Sequence, residues 1–177
     1  MDCASVTLKS IVMDCATSLG GIKKIWLTQY KNLKSAEVVT EEGDDLNKIK
    51  ITLAESSEWH PYEFRKETGS LTSTLTVDET AGINYVQNDL ALVFTKMETL
   101  KRTEIAALSI GQVIAVVLDS NGKYWFLGKD DYVSASAGTG VTGTAKGDQN
   151  AYTLTLSTSS ESYPYELDST SIAALPA

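Results

Sequence analysis

The sequence predicts a mainly β fold, a β-sandwich or rolled β-barrel flanked by one α-helix, and three observations carry that expectation. Short runs such as Lys48 to Leu53, Gly69 to Asp78 and Asn150 to Thr158 alternate apolar and polar residues with the period of a strand. Two apolar runs, Val113 to Leu118 and Tyr124 to Leu127, flank Asn121-Gly122, the strongest short-range hairpin signal. Only one stretch, beginning near Thr95, has the capping and spacing of a helix worth defending.

At 177 residues the chain fits one domain with one core, here read as an N-terminal arm over 1–19 and a single domain over 20–177. Its hydrophobic content of 42% and charged content of 21% point neither to disorder nor to a membrane class. A net charge of −8 argues against tight electrostatic capture of nucleic acid, which depends on Lys and Arg displacing counterions from phosphates. No apolar run approaches the roughly 18 residues that span a bilayer. Met1-Asp2-Cys3-Ala4 opens with an acid where a signal peptide has a basic region, so export by that route is not expected. Cys3 and Cys15 sit in a local echo, Met-Asp-Cys-Ala, and read as buried thiols: without clustered histidines they make no zinc site.

Taken in order, residues 1–19 are open between arm, short helix and edge strand. Ile22 to Tyr30 reads as a strand, with Ile25 and Leu27 on one face and Trp26 and Tyr30 on the other. The polar stretch 31–47 reads as a solvated loop, and its Glu41-Glu42-Gly43-Asp44-Asp45 run lacks the residue order of an EF-hand calcium loop. Lys48 to Leu53 is a half-buried strand. Pro61 confines the aromatic segment Glu58 to Phe64 to an edge or a strand start, and His60 within it is the only histidine.

Gly69 to Asp78 should point Leu71, Leu75 and Val77 inward and Thr72, Thr74 and Thr76 outward. Tyr85 to Phe94 follows as a long strand with Leu90, Leu92 and Phe94 on one side. Thr95-Lys96-Met97-Glu98 has capping-box spacing and predicts a helix near 96–109, with Met97, Leu100, Ile105 and Leu108 as its apolar stripe and Gly111 past its end. Ser134 to Gly147 is glycine-rich and reads as a flexible loop, since its Lys146 does not stand where a phosphate-binding loop needs it. In Asn150 to Thr158, Tyr152, Leu154 and Leu156 point inward and Thr153, Thr155 and Ser157 outward. Tyr163 to Asp168 is an edge strand containing Pro164, and a short turn or helix ends the chain.

A two-residue loop at Asn121-Gly122 would pair Leu118 with Trp125, Val117 with Phe126 and Val116 with Leu127. Both faces of that hairpin are apolar, so it needs two covers, and one helix supplies at most one of them. Tyr124 and Phe126, with Trp26 and Tyr30, are therefore candidates to face the helix or a neighbouring subunit, while Trp125 and Leu127 fill the sandwich core. No nucleophile elbow, zinc-protease motif or nucleotide fingerprint occurs, and Asp130-Asp131 point to opposite faces if extended. Enzyme is the least favoured class, and no catalytic residue, cofactor or metal is expected. A carbohydrate-binding module built on Trp26, Trp59 and Trp125 is the alternative to a self-associating scaffold, and a hydrolase using His60, Asp130 or Asp131 is a weaker one.

Several pieces, in order, resemble the tail tube proteins of tailed bacteriophages, most closely those of phages and prophages of Bacteroides-like hosts. They are Gly20-Gly21-Ile22-Lys23-Lys24-Ile25-Trp26, Thr68-Gly69-Ser70 with its threonine-rich strand, the segment Thr95 to Gly111, Asp119 to Trp125 with Leu127-Gly128, and Tyr152-Thr153-Leu154-Thr155-Leu156. The resemblance leaves out the first 19 residues. It implies a virion protein made in the host cytoplasm, forming rings, usually hexameric, that stack into a tube beside other tail or connector proteins and through which DNA passes transiently. Membranes are not implied. Thr72, Thr74, Thr76, Thr153 and Thr155 then become candidates to line the lumen, since an acidic, hydroxyl-lined wall gives phosphates nothing to hold.

Overall fold

The two apolar faces of the central hairpin set the architecture. In the computed structural model, which describes residues 10–13, 15–40 and 47–176, that hairpin lies inside a five-stranded sheet with a hydrophobic cluster on each side. The elements are β1 (Ile22–Gln29), β2 (Leu33–Thr40), β3 (Asn47–Leu53), β4 (His60–Tyr62), β5 (Ser70–Asp78), β6 (Ile83–Thr95), α1 (Thr99–Ile110), β7 (Val113–Asp119), β8 (Tyr124–Leu127), β9 (Ser134–Val141), β10 (Ala151–Ser160), β11 (Tyr165–Glu166) and α2 (Ser169–Ala173). The central sheet has the order β11-β8-β7-β1-β4, the second sheet β5-β6-β10-β9, and β2 pairs with β3 as a separate hairpin. The chain is a mainly β sandwich with α1 on its flank. Among the described residues no helix is long and apolar enough to cross a membrane.

Alternation explains how the sheets meet. Ile25, Leu27, Ala115, Val117 and Leu127 of the central sheet face Leu90, Leu92, Phe94, Leu154 and Leu156 of the second sheet, with Trp125 packed at their margin. The opposite face of the central sheet presents Trp26, Ile114, Val116 and Phe126, and these are covered by Ile49 of β3, by Trp59 and by Leu167. Interior side chains of this size stabilise by about 1.5–3 kcal/mol each. The single expected core is thus two clusters sharing one sheet. The second cover is neither α1 nor a neighbour but the chain's own β2–β3 hairpin with its C-terminal segment.

The hairpin register differs from expectation by one residue. Leu118 pairs with Tyr124, Val117 with Trp125, Val116 with Phe126 and Ala115 with Leu127. The loop has three residues: the Asp119 N–H donates to Lys123 O at 2.9 Å, and Gly122 takes φ +84°. A three-residue loop with glycine in the left-handed position is the other common solution to the same sequence signal. The shift regroups the faces, because Trp125 and Leu127 now accompany Ala115 and Val117, and Tyr124 and Phe126 accompany Ile114 and Val116.

Other local expectations change for identifiable reasons. Much of the polar stretch 31–47 is strand: Tyr30–Asn32 form one 3-10 turn and β2 then pairs with β3, Glu37 opposite Lys50, so pairing with a later strand overrides polarity. The calcium question at Glu41 to Asp45 lies outside the described residues. The first part of the glycine-rich stretch, Ser134–Val141, is likewise a strand, while 142–147 lie in the loop before β10. A Cβ at Gly140 would stand 3.0 Å from the Tyr152 ring and 3.3 Å from Met97, so bare backbone at β9 lets β10 and the start of the helical segment approach.

The capping box does not form. Thr95 ends β6, Glu98 is the N-cap without a side-chain bond, and Lys101 Nζ donates to Thr95 O at 2.7 Å. Of the expected stripe only Leu108 is buried in α1, Ile105 packs at the core margin and Leu100 is exposed. Of the two cysteines read as buried thiols, Cys15 is exposed, and Cys3 lies outside the described residues.

Candidate functional site

The hydroxyl residues of two separate strands come together on one surface. In the second sheet Thr72 lies opposite Asp89, which lies opposite Ser157, and Thr74, Gln87 and Ser159 make the next row. Directly paired residues share a face. Thr72, Thr74 and Thr76 of β5 therefore stand on the same side as Thr153 and Thr155 of β10, with Gln87 and Asp89 of β6 between them, and Thr139 of β9 beyond. β-branched threonines favour the extended backbone and tolerate water, which keeps these strands regular with one side uncovered.

Hydrogen bonds knit this face. The Ser157 hydroxyl donates to Asp89 Oδ1 at 2.5 Å and lies 2.7 Å from Ser136 Oγ. Gln87 Nε2 also donates to Asp89 Oδ1, at 3.3 Å, while Ser159 donates to Gln87 Oε1 at 2.9 Å. Thr139 and Thr153 share a bond of 2.6 Å. None of the fifteen Lys and Arg residues of the chain falls in β5, β6, β9 or β10. The five threonines singled out in the sequence thus belong to a larger uncharged-to-acidic surface. Asp89, Gln87, Ser157 and Ser159 were legible as the polar positions of strands whose other side is leucine-rich.

The four candidate interface residues meet a different fate. Trp26 and Phe126 are buried under the chain's own residues. The Trp26 indole donates to Pro176 O at 2.9 Å and its ring lies 5.8 Å from that of Tyr124. Tyr30 and Tyr124 remain half-buried, Tyr30 edge-on to Tyr132 at 6.0 Å. Trp59 is buried and Trp125 is half-buried against the sandwich core, so the three tryptophans considered for sugar stacking are packing residues.

Asp119 and Asn121 act together at the hairpin turn: the sequence marked the turn, but not the partners that their side chains hold. Asp119 accepts the N–H groups of Asn121 and Lys123 on Oδ1 at 2.8 and 2.9 Å, and the Trp125 indole on Oδ2 at 3.0 Å. Burial works to raise this carboxyl, but the bonds from the Lys123 N–H, the Trp125 indole and the Asn121 and Gly122 N–H groups outweigh it and hold the group below its ordinary value. Asn121 reaches back to the arm: its Oδ1 accepts the Leu19 N–H at 2.8 Å and its Nδ2 donates to Leu19 O at 3.1 Å.

The residues weighed for hydrolysis are not assembled. His60 is exposed on β4, at the opposite edge of the central sheet from β11. Asp130 takes Lys129 Nζ at 2.6 Å and the Glu161 N–H at 3.0 Å, and Asp131 takes the Tyr132 N–H at 2.8 Å. Comparison with protein-family models, curated proteins and solved structures finds no match to this chain.

Proposed function

We propose that the chain is a self-assembling structural subunit of a phage tail tube, or of a related tail or connector ring, with the hydroxyl face of β5-β6-β10-β9 turned to the channel. One observation carries this reading: the threonines of β5 and β10 form a single face, flanking Asp89 and free of lysine and arginine. A wall for transient DNA passage works by offering no cation that displaces phosphate counterions, and its carboxylate repels the backbone. The ordered resemblance to tail tube proteins supports the same reading. Rings of copies, six in the family pattern, stack into the conduit beside other tail or connector proteins.

Negative-stain imaging of the purified chain tests it. Rings or stacked rings with a central channel are expected, and a monomer at every concentration and salt overturns the proposal. Placing lysine at Thr72, Thr74 and Thr153 is expected to leave assembly intact and make the particles retain DNA in a salt-dependent way.

A further inference from the structure

We infer that β5 is the docking edge for the N-terminal arm of a second copy of this chain, which adds a fifth strand to the β5-β6-β10-β9 sheet. The inference deepens the ring reading and rests on it, since it names the contact by which copies join.

Sheet edges expose unpaired N–H and C=O groups, and proteins blunt them with proline, lysine, bulges, short length or a cover. β4 is three residues long and contains Pro61; β11 is two residues long and follows Pro164. β9 has a bulge and lies beside α1, with Ile105 and Ser109 near Ala135 to Gly140. β2 carries Lys34 and Glu37. β5 has none of these devices: it runs nine residues in unbroken register with β6, without lysine or proline, and its far half carries Leu75 and Val77 at 46% and 57% exposure. Those side chains point to the inward side of the sheet but lie past the reach of the sandwich core, where the sequence placed them.

The arm offers the complement. Ile11, Val12 and Met13 are 82–101% exposed, and the described residues before Ile22 form neither strand nor helix. In an extended pairing Ile11 and Met13 fall on one side, suited to Leu75 and Val77. The chain's own β5 starts close to the root of the arm, since Gly69 backs onto Ile22, three residues from the Leu19 that Asn121 holds. With that edge in reach, Ile11 to Met13 nevertheless stand exposed and outside any strand, which leaves both the arm and the edge open to another copy. An arm from one copy on the edge of the next is a head-to-tail contact, the kind that generates rings or filaments.

Three proteins test this: the full chain, a chain lacking residues 1–18, and the full-length Leu75→Lys, Val77→Lys variant, with Ile11→Asp, Met13→Asp as a second arm variant and circular dichroism to confirm folding. The full chain is expected to assemble, and each variant alone to lose association about tenfold or more. An equal mixture of the arm-less and edge-charged chains is expected to form heterodimers that grow no further, because only one arm and one edge remain to meet. Rings from the arm-less chain would overturn the arm contact while leaving the ring reading standing. A mixture that stays monomeric would overturn it in favour of an arm bound to its own chain, and a monomeric full chain would remove both.

Discussion

The two larger sheets of this molecule are built from the same kind of strand and end in opposite circumstances. The central sheet carries apolar residues on both sides and is covered twice, by the second sheet and by β3 with the C-terminal segment. The second sheet presents leucines to the shared core and threonines and serines outward, and that outward side has no cover among the described residues. Valine and threonine are close in shape and both favour strands, so strand formation is indifferent to the choice. The hydroxyl decides whether a face must be buried, and so which sheet is packed on both sides and which keeps one side open to solvent.

Substitutions sharpen that contrast. The largest loss is expected on the doubly covered sheet: Phe126→Ala should cost about 3–5 kcal/mol, read by denaturant unfolding, because its ring is buried between the chain's own layers. An outcome below about 1 kcal/mol would mean that the second cluster is loosely packed. Gly140→Val should follow at about 1–3 kcal/mol, since a side chain there meets Tyr152 and Met97.

Asp119→Asn is expected to cost about 1–2 kcal/mol at neutral pH by weakening the charge-assisted bonds at the turn. The folded-state pKa of Asp119 is depressed, so its contribution is present above the unfolded value near 3.9 and is lost as pH falls through the folded value. The gap between wild type and variant in thermal melts should accordingly close on acidification below about pH 4. A gap that persists in acid would assign the effect to shape. The smallest change is expected on the open face, where Thr72→Ala and Thr74→Ala should stay within about 0.5 kcal/mol of wild type.

Local periodicity carried much of this into the sequence. Ile25 and Leu27, Leu90, Leu92 and Phe94, and Leu154 and Leu156 stand inward as their spacing requires. The edge status of β4 and β11 follows from Pro61 and Pro164. What stayed hidden depended on partners remote in sequence. β2 is polar enough to pass for a loop until β3 pairs with it, and the glycines of β9 look flexible until Tyr152 is seen against them. The turn signal at Asn121-Gly122 located the hairpin but admits two loop lengths, and a single residue of difference exchanged its faces. The five lumen candidates were visible as two alternating strands. Their union into one face required the intervening β6, and Asn121's hold on Leu19 spans 102 positions with no local trace.

The most direct test is a density map of the assembled full chain good enough to orient the two sheets. A ring or tube is expected whose channel is lined by the β5-β6-β10-β9 sheet, with Thr74, Asp89 and Thr153 facing the opening. A channel lined by the central sheet or by α1, or an assembly with no channel, would contradict it.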